Sequence, residues 1–396
     1  MRLRFVVVLF ALFVITCSGS PSIEGVPCAG EKAPLEVITY NTGLAPGLVN
    51  YATPRAPYVV EALKDARWDV MCLQEVWKDA DRDAIIAALG LTPEQALFVD
   101  TRGKNENPGD RCNAAQIAPL VACVAERCSN ESRDERMTIC AHERCKFAVA
   151  LVYFGGGKSC LNCLLANIGE SLEGSVSSCL GKGASRIYGG RNGIILLSKA
   201  PLRNKEALDV PASGGNRVGL LATVDVAGLS QPLEIACTHL SSPAEIPPTQ
   251  TDYSDWESEQ RAQLTIISSR LLARAGIRPA ILMGDLNTSD AVGGLSAVSP
   301  SVWGDAMRLG YSNAIPKTIA PFCTECRGNK LVTGLDGDGD AIDHVLIANT
   351  THANLLVPSC AERVFADKLI ISGYDYTRVH TNLSDHYGLK VQLHVR

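Results

Sequence analysis

Residues 280–287 read AILMGDLN, an apolar run followed by two polar residues. Four successive apolar residues, 280–283, are typical of a buried strand. The polar residues Asp285 and Asn287 follow this strand and, being two positions apart, can face the same cavity. Functional groups in layered α/β folds collect at strand ends, where loops present them from a rigid base. The segment therefore predicts a buried strand with functional residues at its end.

The same arrangement recurs at five other strand-like runs. Polar residues stand at their ends: Asn41, Glu75, His239, Asp343, and the pair Asp385 and His386. A single residue of this kind is usually structural, because an acid or amide commonly caps a helix or forms a turn. Six such positions on successive strands indicate one shared site.

The rest of the chain alternates strand and helix patterns. Strands are predicted at 35–40, 70–74, 147–154, 193–197, 218–226, 233–238, 280–283, 345–348 and 389–395. Helices are predicted at 55–66, 79–89, 255–275 and 300–309. No glycine-rich phosphate loop follows the first strand, and the glycines at 155–157 are interpreted as a loop. These patterns favour α/β layers over a doubly wound nucleotide-binding sheet.

The composition excludes several classes of protein. The 396 residues are 46% apolar with a formal net charge of −5, which argues against a disordered chain and against a strongly basic nucleic-acid binder. The only long apolar run, residues 5–16, is roughly half the ~20 residues that a membrane-spanning helix needs. No transmembrane helix is therefore expected in the mature chain.

The N-terminus has the layout of a signal peptide, predicted over residues 1–20. Arg2 and Arg4 precede the apolar run, and small polar residues follow it. The protein is therefore expected to be exported, to the periplasm or the extracellular space. Because Cys17 follows the apolar run, a lipoprotein signal with a lipid anchor is one alternative. A buried N-terminal strand is the other.

The fifteen cysteines support export, because disulfides persist in oxidising compartments. Eight of them lie between Cys112 and Cys179. We predict a Cys-rich, disulfide-stapled insertion over residues 105–183. It is either a surface decoration or a lid or substrate-recognition module near the site.

The cysteine spacing within this insertion predicts a hairpin of two helices. In Cys-x4-Cys the two sulfurs lie on roughly one side of a helix. A hairpin of two such helices would form the pairs Cys123–Cys145 and Cys128–Cys140. Cys72 and Cys237 fall within apolar strands and are interpreted as buried free thiols.

The polar set combines metal ligands with a base. Asn41, Glu75 and Asp385 offer hard oxygen ligands, which suit Mg²⁺, Mn²⁺ or Ca²⁺ rather than zinc. Such an ion can bind a phosphoryl oxygen and neutralise developing charge. His386, if oriented by Asp343, can remove a proton from water near neutral pH.

The remaining members suit a phosphate ester as substrate. Asp285 and Asn287 can orient water and phosphate, and His239 can donate to a phosphate oxygen or protonate the leaving group. No Ser or Cys stands in a nucleophile-elbow context. Direct attack of water on a phosphodiester is the reaction that this set predicts.

In this order, the motifs resemble the endonuclease/exonuclease/phosphatase superfamily, which includes deoxyribonucleases, abasic-site endonucleases, inositol polyphosphate phosphatases and neutral sphingomyelinases. The matching motifs are YN at 40–41, LQEV at 73–76, THL at 238–240, GDLN at 284–287, IDH at 342–344 and SDH at 384–386. The resemblance implies a four-layer sandwich of two face-to-face mixed β-sheets with helices outside. The catalytic domain would span 33–396, interrupted by the insertion. The resemblance also implies the same site roles, with metal at Glu75 and His386–Asp343 as the base.

Two branches of the superfamily remain open. The segments RNG at 191–193 and SKAP at 198–201 resemble sphingomyelinase-type phosphodiesterases, whereas HLSSP at 239–243 also resembles deoxyribonucleases. Arg191 is the predicted contact to substrate phosphate, with Lys199 and Arg217 as further candidates. Each of these could equally be a solvated surface charge.

We favour sphingomyelinase or phospholipase C-type hydrolysis of phospholipid headgroups, with contact to a membrane surface as a further expectation. The alternatives are an extracellular DNase-like endonuclease and a non-catalytic secreted binding module on the same fold. The intact polar set speaks against the binding module. No protein partner is implied.

Overall fold

The structure of the protein is a computed structural model. It describes residues 28, 35–102, 110–129, 131, 134–184, 186–243, 251–332, 335, 337–348, 356–374 and 376–395. The predicted signal peptide, including Cys17, lies outside these residues.

The described residues form sixteen strands and eight helices. The strands are β1 (Leu35–Leu44), β2 (Val70–Val76), β3 (Ala96–Leu97), β4 (Ile195–Ser198), β5 (Arg203–Val210), β6 (Arg217–Val224), β7 (Leu233–His239), β8 (Ala280–Asp285), β9 (Ser312–Asn313), β10 (Glu325–Cys326), β11 (Gly339–Asp340), β12 (Asp343–Ala348), β13 (Leu356–Val364), β14 (Lys368–Ser372), β15 (Arg378–Asn382) and β16 (Gly388–Val395). The helices are α1 (Ala52–Asp65), α2 (Asp79–Ala88), α3 (Ala114–Arg127), α4 (Asp134–Arg144), α5 (Lys146–Ala166), α6 (Leu172–Leu180), α7 (Trp256–Ala275) and α8 (Pro300–Arg308).

The four predicted helices are confirmed as α1, α2, α7 and α8, with small differences at their ends. Every predicted strand except the one at 147–154 is also confirmed. The α7 helix begins where the side chain of Asp255 accepts a hydrogen bond from the backbone N–H of Ser258, an N-cap that satisfies one free donor of the first turn. A buried stripe that includes Leu264, Ile267 and Leu271 then packs this helix on a sheet.

Two mixed six-stranded sheets form the centre of the molecule. The strand order is β13-β16-β1-β2-β4-β3 in the first sheet and β5-β6-β7-β8-β12-β9 in the second. Each sheet has one parallel pair at its middle, β1 with β2 and β7 with β8, and its other pairs are antiparallel. The C-terminal ends of the parallel strands therefore meet at one edge of each sheet.

The two sheets stack face to face on a shared apolar core. Val37 of β1 and Met283 of β8 belong to this inner cluster. Their chain neighbours Ile38 and Leu282 point outward, because successive side chains of a strand alternate between faces. Ile38 packs with α1 and α2, and Leu282 packs with α7 and α8. This arrangement confirms the predicted four-layer sandwich.

A disulfide joins the two sheets through the core. Cys72 of β2 and Cys237 of β7 are bonded, with their Cα atoms 5.5 Å apart. The prediction of two free thiols is therefore wrong, because strands β2 and β7 face each other across the sandwich and bring the sulfurs together. In all, seven disulfides in the described part link fourteen of the fifteen cysteines.

The Cys-rich region between β3 and β4 contains the four helices α3 to α6. The two predicted pairs, Cys123–Cys145 and Cys128–Cys140, are both confirmed, and they join α3 to the hairpin partner α4. The predicted strand at 147–154 and the predicted loop at 155–157 are wrong, because both segments belong to α5. A short apolar run does not distinguish a strand from a helix that packs in a small disulfide-linked core.

Candidate active site

Asp285 ends β8 at the middle of the second sheet and has a predicted site residue on each side. The parallel pairing of β7 with β8 places His239 opposite Asp285. The antiparallel pairing of β12 with β8 places Asp343 opposite the same residue. Paired residues on neighbouring strands lie about 5 Å apart, so strand register alone brings these three side chains together.

Residues from both sheets converge on the Asp285 carboxylate. Asn41, which lies in β1 of the first sheet, donates from Nδ2 to Asp285 Oδ2 at 2.9 Å. The Nε2 atoms of His239 and His386 lie 3.4 and 4.0 Å from the same oxygen. The backbone N–H of Asn287 donates to the other oxygen, Oδ1, at 3.0 Å. The side chains predicted from separate strand ends thus surround one buried acid.

His386 and Asp343 form a hydrogen-bonded pair. The Nδ1 atom of His386 lies 2.8 Å from Asp343 Oδ2, and both side chains are buried. Burial disfavours the charged imidazolium, but the charge and hydrogen bond of Asp343 outweigh it and raise the pKa of His386 well above its ordinary value. Asp343 therefore orients the ring and leaves Nε2 directed towards Asp285.

The three predicted metal ligands also lie together. The side chain of Asn41 and the charge of Asp385 both act on the carboxyl group of Glu75. Burial, followed by the neighbouring Asp385, raises the pKa of Glu75 to about 7. Glu75 itself has a φ of 59°, in the left-handed region that residues other than glycine rarely adopt. Such backbone strain is concentrated at functional sites.

Ser384 and Gly43 hold Asp385 in this group. The Ser384 hydroxyl contacts the backbone oxygen of Asn41 at 2.8 Å and Asp385 Oδ1 at 2.9 Å, and it accepts from the backbone N–H of His386 at 3.2 Å. A Cβ on Gly43 would lie 2.3 Å from Asp385 Oδ1, so only glycine leaves room for that carboxylate. The loop before β16 is therefore positioned against β1.

The electrostatics of the site fit a divalent cation. Burial, with Asp343 as the next contribution, raises the pKa of Asp285 to about 8. Buried carboxylates that repel one another in this way are stabilised by a bound cation, and oxygen donors suit Mg²⁺, Mn²⁺ or Ca²⁺. Ligand atoms of Asp285, Asp343 and His386 also lie within 4.8 Å of one another, so this group too has the composition of a cation site.

Two further basic groups face the buried acids. Burial, followed by the charges of Arg217 and His386, lowers the pKa of His239 well below its ordinary value, which keeps the imidazole neutral. The Nε and Nη1 atoms of Arg217 are buried without a hydrogen-bond partner in the described part of the chain. The charges of Glu75 and Asp285 act on this guanidinium. Arg217 therefore has two N–H donors near the acids that no described residue accepts.

The other two phosphate candidates lie elsewhere. Arg191 binds Asp79 through Nη2 at 3.2 Å and the backbone oxygen of Tyr188 through Nη1 at 3.1 Å, at the border of a cavity next to the site. Lys199 lies over the ring of Trp68, at the end of the sheet opposite to Glu75. The structure therefore brings Arg217 into the acid cluster, places Arg191 at its side and keeps Lys199 away.

Sequence reasoning missed two residues that contact the His386–Asp343 pair. The hydroxyl of Thr324 accepts from the backbone N–H groups of Ile342 and Asp343, both at 3.2 Å. Its neighbour Glu325 forms an isolated backbone bridge with His386, and burial raises the pKa of the Glu325 carboxyl to about 7. Both residues lie inside the turn closed by the Cys323–Cys326 disulfide. The Cys-x-x-Cys spacing of Cys323 and Cys326 was the sequence feature that could have indicated an ordered turn at Thr324 and Glu325.

Residues 38–386 match the Endonuclease/Exonuclease/phosphatase family. Comparison with curated proteins finds no match. Among solved structures, "beta toxin 275-280 from Staphylococcus aureus" is 12% identical with a TM-score of 0.53, covering 90% of this chain and 99% of that one.

Two further solved structures are similar to this chain at low sequence identity and high coverage. A double mutant of beta toxin from Staphylococcus aureus, with bound magnesium ions, is 11% identical with a TM-score of 0.53 and covers 90% of this chain and 99% of that one. Sphingomyelinase C from Streptomyces griseocarneus is 16% identical with a TM-score of 0.49, with coverages of 90% and 98%. The two beta toxin structures, each with a TM-score of 0.53, show a shared fold, and the family match extends over most of the sequence. The chain therefore belongs to the endonuclease/exonuclease/phosphatase family.

Proposed function

We propose that this chain is an exported, divalent-metal-dependent hydrolase that cleaves the phosphodiester of phospholipid headgroups by direct attack of water. Members of its family are hydrolases that act on phosphodiester bonds. The observation that carries the proposal is the convergence of Asn41, His239 and His386 on the carboxylate of Asp285. This cluster combines a base, hydrogen-bond donors and hard oxygen ligands in one place.

The residues that would hold the metal are Glu75, Asn41 and Asp385. A bound Mg²⁺, Mn²⁺ or Ca²⁺ supplies Lewis-acid stabilisation of the charge on a phosphoryl oxygen. The beta toxin structure with the same fold contains magnesium, which makes Mg²⁺ the first ion to test. We do not assign the metal to the group around His386, because its Nδ1 atom is already hydrogen-bonded to Asp343.

The chain's own residues then move the proton and bind the phosphate. A cation held by Glu75 and Asp385 would offset the acidic charge that raises the pKa of His386, and would so favour its neutral ring. In that form His386 takes the proton from water at Nε2 while Asp343 holds Nδ1, so the ring keeps one orientation through the transfer. Asp285 orients the water next to it. His239, with its neutral ring, and Arg217, with its unpaired Nε and Nη1, donate to the phosphate oxygens, and Asn287 adds a donor at the same edge.

Export is supported by disulfide chemistry. Seven disulfides are stable in an oxidising compartment, whereas a reducing cytosol disfavours them. We infer that residues 1–20 are a signal peptide that directs the chain there. Cys17 would be the attachment point if the mature protein carries a lipid.

An exposed apolar face on α5 supports a lipid substrate. Phe147, Leu151 and Phe154 occupy positions i, i+4 and i+7 of this helix and are 77%, 42% and 82% exposed. Exposed apolar side chains that lie on one side of a helix suit contact with a membrane surface. None of the described helices is both long and apolar enough to cross a bilayer. We therefore propose that α5 touches the membrane without spanning it.

The test is hydrolysis by the purified mature protein with Mg²⁺, Mn²⁺, Ca²⁺ or EDTA. Vesicles of sphingomyelin, phosphatidylcholine and phosphatidylinositol, and plasmid DNA, are offered side by side. We expect metal-dependent release of phosphorylated headgroup, and a loss of at least about 100-fold in Glu75→Ala and His386→Ala. Both variants should keep the wild-type circular dichroism spectrum.

The other outcomes identify the alternatives. Nicked plasmid with intact vesicles would make the chain a secreted nuclease. If neither substrate nor simple phosphate esters are cut, the chain is a non-catalytic binding module on the same fold. Full activity of the two variants would contradict the assignment of the site.

A further inference from the structure

A cavity of about 700 Å³ lies between the catalytic sandwich and the Cys-rich helices. The sandwich side is lined by Pro46, Trp77 and the loop residue Tyr188. The opposite side is lined by residues that follow α5 and α6, including Ile168 and Lys182. The cavity therefore exists only because the Cys-rich region packs beside the sandwich.

The cavity adjoins the proposed metal ligands. Trp77 follows Glu75 by two residues, and its ring lies 4.8 Å from the ring of Tyr188. The hydroxyl of Tyr188 donates to the backbone oxygen of Pro46 at 2.9 Å. Burial, followed by the charge of Glu75, raises the pKa of Tyr188 well above its ordinary value. A molecule held at Glu75 can therefore extend past this aromatic pair into the cavity.

The charged residues that line the cavity are mostly basic. Four of them are cations and one, Glu170, is an anion; the cations are Lys78, Lys182, Arg186 and Arg191. A concave surface with this excess of positive charge concentrates anions. The chain as a whole has a net charge of −5, so this excess is local.

Several of these cations have donors without a protein partner. Arg191 is paired with Asp79, but its Nε is buried without a hydrogen-bond partner in the described part. Arg186 donates from Nη1 to the backbone oxygen of Ala212 at 2.6 Å, and its Nε is equally unsatisfied there. Within the described residues, no ion pair involves Lys182. Lys182 is exposed, so its ammonium group is accessible to an anion in the cavity.

We infer that this cavity binds a second anionic group on the substrate headgroup, so that the preferred substrate is a phospholipid whose headgroup carries a further phosphate or carboxylate. This inference rests on the proposed function, because it assumes that the scissile phosphate lies at Glu75. A choline headgroup ends in a cation, which four basic residues would repel. A pocket closed on one side by the Cys-rich region suits a compact headgroup better than a continuous polynucleotide strand.

The first experiment measures binding without catalysis. Inorganic pyrophosphate serves as the probe anion in isothermal titration calorimetry, in EDTA, with the full mature chain. We expect binding by the wild type and a roughly 10-fold weaker affinity in Lys182→Glu, since one reversed charge at a partly exposed site changes the binding free energy by about 1.4 kcal/mol. Lys64→Glu is the matched control, because Lys64 is an exposed lysine on α1. It should bind like the wild type.

The second experiment measures specificity with soluble substrates, which removes any effect of vesicle charge. Glycerophosphocholine is compared with glycerophosphoinositol 4-phosphate in the presence of Mg²⁺. We expect a higher kcat/KM for the substrate with two anionic groups, and a roughly 10-fold loss of that preference in Lys182→Glu through KM. The rate on glycerophosphocholine should change by less than about 2-fold.

The outcomes separate this inference from the proposed function. Pyrophosphate binding that depends on Lys182, without hydrolysis of any phosphodiester, supports the cavity and overturns the proposed function. Two outcomes overturn the cavity assignment alone. One is hydrolysis with equal kcat/KM for the two headgroups, and the other is an equal loss of pyrophosphate affinity in Lys182→Glu and Lys64→Glu. Cleavage of DNA with no lipid hydrolysis overturns the lipid class of the substrate.

Discussion

Replacement of Thr324 by valine should destabilise the protein and slow its reaction together. The Thr324 hydroxyl accepts from the backbone N–H groups of Ile342 and Asp343, both at 3.2 Å, and Thr324 is only 1% exposed. Valine keeps the shape of threonine but leaves two buried donors without an acceptor. Each unsatisfied donor costs about 1–3 kcal/mol, and the long distances favour the lower half, so we expect a loss of about 2–4 kcal/mol.

The same change should reach the catalytic pair through the backbone. The backbone oxygen of Thr324 accepts from the N–H of Tyr387 at 2.7 Å, so this residue ties the strand start at Asp343 to the residue after His386. A shift of Asp343 by about 1 Å would lower the hydrolysis rate by roughly 100-fold. Thr324→Ser retains the acceptor and should restore most of both properties. This rescue would show that the effect of Thr324→Val comes from the lost hydroxyl and not from a change in side-chain volume.

The assay combines thermal unfolding by calorimetry with metal-dependent hydrolysis of a soluble phosphodiester. Thr381→Val is the matched control, because Thr381 is also 1% exposed but its hydroxyl makes only a 3.5 Å contact to the backbone oxygen of Asn382. It should lie within about 1 kcal/mol of the wild type. The reasoning is refuted if Thr324→Val and Thr381→Val behave alike, or if Thr324→Ser is as slow as Thr324→Val.

Three further predictions test separate parts of the structure. Asp343→Asn should lower the hydrolysis rate by about 10²–10⁴-fold with little loss of stability, because it removes the negative charge that stabilises the protonated base and lets an amide NH2 face Nδ1, which favours the wrong tautomer of His386; a rate near that of the wild type would contradict the assignment. The double variant Cys72→Ala/Cys237→Ala should lose about 2–5 kcal/mol in calorimetry, since this bond closes a 165-residue separation between the sheets. An unchanged unfolding temperature would mean that the bond does not constrain the chain. The double variant Phe147→Glu/Phe154→Glu should sediment less with vesicles while cleaving soluble substrates at the wild-type rate, and unchanged sedimentation would exclude α5 as the membrane contact.

Much of the sandwich could be predicted from local sequence because its elements have strong periodicity. The α7 helix combines a capping Asp255 with a buried stripe, and the observed bounds differ from the predicted ones by one residue. Strand β8 is an unbroken apolar run that ends at Asp285. The helices of the Cys-rich region were harder to predict. Its α5 helix contains Phe147 and Leu151 in an apolar run that carries no clear period, and three glycines that favour a loop locally.

The site residues could be identified one by one, and the pairing of His386 with Asp343 was expected, but the contacts around Asp285 could not be predicted. Asp285 and Asn287 were visible as polar residues after a buried strand. Their partner Asn41 is 244 positions away from Asp285 along the chain, in the other sheet, and no local pattern encodes that hydrogen bond. Thr324 could not be identified either, because no local pattern shows that a threonine in a loop accepts hydrogen bonds from a distant strand.

Periodicity and spacing within a few residues predicted most strands and helices of the sandwich, the polar residues at the strand ends and the disulfide hairpin of the Cys-rich region, because backbone geometry is regular over that range. No local pattern showed that Cys72 bonds to Cys237, that Arg217 rather than Lys199 lies near the acids, or that a basic cavity opens beside Trp77. Such contacts depend on how the two sheets stack and on what packs beside them, and that information is spread over the whole chain.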